Sequence, residues 1–195
     1  MKKISVIGST GSIGLNTLRV VRAHPGHFQV IALAAKNNAK PLLEQALEFR
    51  PKMVCLYEPE KSKWLSEKLE PYQIKVVTGG QGLIEASTRP EVDQVIFSLV
   101  GGVGLRPIFA AVDAGKNVAV ANKEPLVMAG ELLMRRVKEK NVHLLPIDSE
   151  HSGLWQCLEG KSSCAIKKLI LTSSGGPFLG RKNSFSAIKP EDALK

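Results

Sequence analysis

The 195-residue chain is 44% apolar and 23% charged, the balance of a globular protein with room for one good core, or for one domain and part of another. Its 27 Lys and Arg exceed its 18 Asp and Glu, giving a formal charge of +9 that suits phosphates, nucleotides or simply a solvated basic surface. No basic run is interleaved with aromatics, so nucleic acid is not an expected partner. The three cysteines, Cys55, Cys157 and Cys164, form neither a CxxC pair nor an even set, which argues against disulfides and structural zinc and for a reducing, cytoplasmic location. The opening MKKISVIGST has too short an apolar run for a secretory signal or a membrane span, so no membrane partner is expected.

In chain order, KKISVIG reads as a buried strand, and Ser12–Ala23 as a helix with Ile13, Thr17, Val20 and Val21 on one face. QVIALAA is a second strand, followed by a helix over residues 40–50. Further strands are read at KMVCL, IKVVT, VDQVIFSLV, KNVAVA and VHLLPI, with the clearest later helix at Glu124–Lys140, and one more strand just before SSGGPF. Strands alternating with helices predict an α/β fold: a doubly wound, mainly parallel, Rossmann-like sheet. In such sheets ligands gather beyond the carboxyl ends of the strands, so the segments that follow each strand are the candidate site.

Those segments are rich in glycines, amides and charges. After the first strand comes GSTGSIG, residues 8–14. There Gly8 permits a tight turn, Gly11 lets a phosphate approach the backbone, and Gly14 lets the helix pack near the sheet. Ser9, Thr10 and Ser12 add hydroxyls, and a plain capped glycine turn is the alternative. After the second strand, the place where an acid often holds the NAD ribose carries Lys36, Asn37 and Asn38 instead, which suits the 2′-phosphate of NADP better than NAD, with a plain polar turn as the equal alternative. Asn122, Lys123, Glu124 and Pro125 read as a helix start, with Asn122 the cap; Lys123, a cation at the positive end of a helix, points instead to an anionic ligand. In PIDSEH, Asp148 and Glu150 are spaced either to flank a Ser149 cap or to hold one hard cation such as magnesium or manganese. His151 is read as packing or hydrogen-bonding, and Cys157 as core. Ser173, Ser174 and their glycines form either a turn or an anion cradle.

Taken together and in this order, GSTGSIG, ANKE, PIDSEH and SSGGPF resemble the 1-deoxy-D-xylulose 5-phosphate reductoisomerase family over residues 4–195. The resemblance implies an NADPH-dependent enzyme that rearranges a phosphorylated ketose to 2-C-methyl-D-erythritol 4-phosphate with the help of a divalent metal. It further implies that Thr10, Gly11, Ser12 and Ile13 hold the cofactor phosphates, that Lys36, Asn37 and Asn38 surround the adenosine phosphate, and that Asn122 and Glu124 line the cofactor. Lys123 would reach the substrate at the hydride-transfer site, Ser149, Glu150 and Ser174 would bind it, and Asp148 and Glu150 would ligate the metal. Residues 1–147 would be the NADPH-binding domain and residues 148–195 the start of an α+β catalytic domain. The family's third metal carboxylate and closing loop would lie further along, so these residues alone are expected to be inactive, and the intact protein a homodimer. Two departures stand out: Lys36 where the family has a small residue, and Pro125 where it has serine. The readings set against this one are a non-catalytic NADP-binding module and another NADP-dependent dehydrogenase, such as a semialdehyde dehydrogenase.

Overall fold

The computed structural model describes residues 1–172, 176–180, 186 and 188–194. The chain divides into two units, Met1–Asp148 and Ser149–Lys195. The first is built on seven strands: β1 (Lys2–Ile7), β2 (Phe28–Ala35), β3 (Met53–Leu56), β4 (Lys75–Thr78), β5 (Gln94–Phe97), β6 (Asn117–Val120) and β7 (Leu144–Pro146). Every pairing is parallel, in the order β4-β3-β2-β1-β5-β6-β7. The helices of this unit are α1 (Ser12–Ala23), α2 (Ala39–Phe49), α3 (Ser62–Leu69), α4 (Gly79–Thr88), α5 (Leu105–Asp113) and α6 (Glu124–Lys140). This is the doubly wound, Rossmann-like sheet expected from the sequence.

Both faces of the sheet are dry, which is why its strands read as unbroken apolar runs. Side chains alternate across the pleat. Ile4 and Val6 of β1 join one buried cluster, with Leu18 of α1, Leu42 of α2 and Leu65 of α3. Ile7 joins the other, with Leu83 of α4, Ile108 of α5 and Leu133 of α6. After β4, on one edge, the chain crosses to β5 beside β1. Successive connections therefore diverge above β1 and β5 and leave a crevice at their carboxyl ends.

The core-facing side of α1 is in part the one expected: Ile13, Thr17 and Val21 are half-buried on it. Gly14 and Leu18 are its buried residues, while Val20 is 50% exposed. Leu18 lies one turn on from Gly14, so the close approach at that glycine sets which face meets the sheet.

The second unit, taken by itself, begins with α7 (Ser149–Leu158), which buries none of its residues. Cys157 is therefore exposed, not core as expected from its apolar neighbours. Short 3-10 turns follow at Ser163–Ala165, Gly176–Phe178 and Pro190–Leu194. The strand expected before SSGGPF is not formed among the described residues: Leu169, Ile170 and Leu171 are exposed and make no ladder with a neighbour. Without a partner strand, an apolar run gains no ladder hydrogen bonds to hold it extended. No helix among the described residues is long and apolar enough to cross a membrane.

Candidate cofactor site

The loop from Gly8 to Gly11 leaves β1 at the centre of the sheet and enters α1. Gly8 has φ +95°, and a Cβ there would stand 2.5 Å from the carbonyl oxygen of Ser98. A Cβ on Gly14 would come within 2.3 Å of the Gly8 carbonyl oxygen. No side chain fits at either place, so both glycines are demanded by packing. Gly11 is different, since its nearest neighbour would lie at 3.5 Å, an ordinary contact. Its exposed backbone is open to a ligand, and it caps α1 with no side-chain hydrogen bond. The N–H groups of the first turn have no intrahelical acceptor and carry the positive end of the helix dipole, a setting suited to an anion.

Three elements brace this loop. From β2, the Ala34 carbonyl accepts the N–H groups of Gly8 and Ser9 at 2.9 and 2.8 Å. From the end of β5, the Ser98 hydroxyl donates to the carbonyls of Ile7 and Gly8, both at 3.0 Å. From α2, the Gln45 amide donates to the Ser9 carbonyl at 3.0 Å, while the Ser9 hydroxyl donates to Gln45 Oε1 at 2.7 Å. Ser9 is fully buried and spent on this bracing, so of the three loop hydroxyls only those of Thr10 and Ser12 stand toward solvent. Sequence reasoning missed Gln45 and Ser98. The available signals were a lone glutamine on the apolar stripe of α2 and a serine directly after a buried strand.

Lys36, Asn37 and Asn38 follow β2 and are all exposed, with Asn38 Nδ2 reaching the Thr10 hydroxyl at 3.4 Å. Together with Thr10, Gly11, Tyr57 and Val100 they line a cleft of about 610 Å³. Lys36 is paired with Glu58 of the loop after β3 at 3.4 Å. Glu58 and Glu60 line a smaller hollow with Asn37, Asn38 and Lys61. Two carboxylates thus stand where a cation with amides was expected to act alone.

The segment after β6 is not capped by Asn122. Lys123 occupies the capping position of α6 without a side-chain cap, and Pro125 sits in the first turn, where a missing N–H costs nothing. Asn122 instead donates to the Gly101 carbonyl at 3.1 Å, and Glu124 accepts the Gly101 N–H at 3.3 Å. The two side chains grip one residue of the glycine-rich loop after β5, at its N–H and its carbonyl. The 8% exposed Asn122 keeps its Oδ1 without a hydrogen-bond partner. A cleft of about 290 Å³ brings Gly11, Ser12 and Ile13 together with Asn122, Lys123 and Glu124, so two motifs more than 100 residues apart face one space.

Asp148 is buried just beyond β7, and Ser149 and Glu150 open α7, where the Ser149 hydroxyl donates to Glu150 at 3.2 Å. Asp148 closes the first unit and Glu150 lies in the second. Among the described residues no group of three His, Cys, Asp or Glu side chains gathers as a metal cage. Ser174 lies outside the described residues. Cys55 is in no setting for a reactive thiol. It is buried on β3, and burial, with Glu85 adding, pushes its thiol up to about 12, far from a thiolate at neutral pH.

Comparison with known proteins agrees with this geometry. A family model described as 1-deoxy-D-xylulose 5-phosphate reductoisomerase matches residues 4–130, and one for that enzyme's C-terminal domain matches residues 144–195. The chain is 48% identical, over its whole length, to the 1-deoxy-D-xylulose 5-phosphate reductoisomerase of Lachnoclostridium phytofermentans, of which it covers 50%. It superposes on the Zymomonas mobilis reductoisomerase in complex with NADPH with a TM-score of 0.86 and 36% identity, covering 99% of this chain and 51% of that one. A reductoisomerase in complex with magnesium gives a TM-score of 0.86 at 38% identity, over 93% of this chain and 48% of that one. The chain spans about half the length of the curated relatives it matches. It belongs to the 1-deoxy-D-xylulose 5-phosphate reductoisomerase family.

Proposed function

We propose that Met1–Asp148 binds NADPH, and that the whole protein carrying this sequence converts 1-deoxy-D-xylulose 5-phosphate to 2-C-methyl-D-erythritol 4-phosphate. The observation that carries this reading is the single cleft shared by the α1 N-terminus and the Asn122–Lys123–Glu124 segment, in a chain of this family. A ligand in it would lie with phosphates at one end and its reactive end beside a lysine.

The division of labour follows from the chemistry of each group. Backbone N–H groups at Gly11, Ser12 and Ile13, with the Thr10 hydroxyl, hold the cofactor diphosphate. Lys36, Asn37 and Asn38 take the adenosine 2′-phosphate. Asn122 offers its spare Oδ1 as an acceptor for the nicotinamide end, with Glu124 fixing the adjoining loop. The Lys123 ammonium holds the anionic oxygens of the substrate close to the hydride-transfer position, and Ser149 and Ser174 hydrogen-bond the substrate.

Asp148 and Glu150 supply hard carboxylate oxygens, which suit magnesium or manganese with water or substrate completing the shell. When bound, NADPH supplies a hydride and the metal ion supplies Lewis acidity. The two carboxylates hold the ion and the lysine orients the substrate. The intact protein is proposed to be cytoplasmic and homodimeric.

The test is NADPH consumption on adding 1-deoxy-D-xylulose 5-phosphate to the whole protein. Turnover that needs magnesium or manganese and falls at least a hundredfold in Lys123→Met is the expected outcome. Absence of turnover in the unaltered protein would remove the reading. For the 195 residues taken alone, a second reading is cofactor binding without turnover, favoured by the position of both clefts within Met1–Asp148. Turnover by this chain alone would reject it.

A further inference from the structure

Gln45 is a polar side chain on the buried stripe of α2, 5% exposed among Ala39, Leu42 and Ala46. Burying an amide is unfavourable unless its hydrogen bonds are met. Both functional atoms of this amide are met by one residue 36 positions away, the Ser9 carbonyl at 3.0 Å and the Ser9 hydroxyl at 2.7 Å. The bond to the carbonyl has a consequence beyond packing. A peptide unit is planar and trans, so its C=O and N–H point in opposite directions. Fixing the Ser9 carbonyl toward α2 therefore fixes the Thr10 N–H to point away from it, and Thr10 lines the larger cleft. The Ala34 carbonyl and the Ser98 hydroxyl hold the peptide units before this one, and the Gly11 N–H is turned back onto the Gly8 carbonyl at 3.1 Å. The peptide joining Ser9 to Thr10 is held at its carbonyl by Gln45.

We infer that Gln45 is a positioning residue for anion binding: through the Ser9 carbonyl it orients the Thr10 N–H toward the diphosphate of a dinucleotide. This rests on the NADPH reading above and deepens it. Gln45 touches no ligand itself: its side chain bonds Ser9 on the connection after β1, while Lys36, Asn37 and Asn38 stand before it at the entry to α2. A residue that only stabilises the fold would not discriminate between ligands with and without a diphosphate.

The test compares NADPH with adenosine 2′-phosphate, which has no diphosphate, by titration of the full chain alongside thermal unfolding. Gln45→Met keeps the volume and removes both hydrogen bonds; it is expected to weaken NADPH about tenfold and leave adenosine 2′-phosphate within about twofold. Ser9→Ala removes the hydroxyl bond but keeps the bond to the carbonyl, so its NADPH affinity should fall at most about twofold. If Gln45→Met does not fold, Gln45→Leu, which likewise lacks both the donor and the acceptor, makes the same comparison. Unchanged NADPH binding in the Gln45 variant, or equal loss of both ligands, overturns the inference while leaving the cofactor reading intact. An unaltered chain that takes neither ligand overturns the cofactor reading, and this inference with it.

Discussion

Met1–Asp148 and Ser149–Lys195 are similar in apolar vocabulary and opposite in what they do with it. In the first unit, apolar runs are strands and stripes closed on both sides, and residues such as Phe97, Leu33 and Met53 are wholly buried. In the second, α7 buries nothing, and Leu169, Ile170 and Leu171 are each at least 60% exposed. A hydrophobic pattern is a request for a partner surface, and among the described residues the first unit supplies one within itself far more fully than the second. Functional groups follow the same division: the cofactor clefts lie within the first unit, whereas Ser149 and Glu150 stand at the start of the second.

Core substitutions should break the comparison most visibly. Phe97→Ala is expected to cost about 3–5 kcal/mol and Leu154→Ala in α7 less than about 1 kcal/mol, read as the shift in denaturant midpoint at constant slope. Equal costs would mean that α7 is packed as firmly as the sheet.

Within the first unit, two glycines separate fold from function. Gly14→Ala should destabilise by about 1–3 kcal/mol, because its methyl would meet the Gly8 carbonyl, a backbone atom, at 2.3 Å. Gly11→Ala has room for its methyl and should leave thermal stability nearly unchanged, yet weaken NADPH about tenfold by standing where a phosphate approaches. Parallel melting and binding curves for the two variants measure this contrast.

A smaller effect concerns cofactor choice. Glu58 faces Lys36 and would repel a 2′-phosphate, so Glu58→Gln should raise the preference for NADPH over NADH about threefold in paired titrations.

A last, pH-dependent effect involves Glu91, held down at about 2 by its own backbone N–H and by hydrogen bonds from Arg89 and Lys52. A carboxyl depressed in the folded state stabilises above its ordinary value and loses that contribution as pH falls from about 4.5 to about 2. Glu91→Gln should therefore lower the melting temperature at pH 7, and its difference from the unaltered protein should shrink as pH falls through that window.

Much of the first unit was legible because two-sided burial leaves an unmistakable trace in strands such as QVIALAA, and because glycines at Gly8 and Gly14 mark backbone contacts no other residue permits. The phase of α1 was legible only in part: Ile13, Thr17 and Val21 face the core as expected, whereas Val20 and Leu18 are equally apolar and the close approach at Gly14 chooses between them. Gln45 and Ser98 escaped because their partners lie far along the chain, and a single sequence does not show which distant carbonyl a buried amide will meet. Asn122 looked like a helix cap because caps are local, whereas its actual partner is Gly101 on another connection. In the second unit the pattern before SSGGPF was read as a strand, although a strand exists only with a neighbour to pair with.

The most direct measurement is a fluorescence titration of the 195-residue chain with NADPH, with NADH as the control. Saturable binding with clear preference for NADPH is the predicted result, because the α1 N-terminus, Lys36 with its two asparagines, and Asn122 all stand in one unit. No binding of either nucleotide, or equal binding of both, would contradict the assignment of this sheet end as an NADPH site.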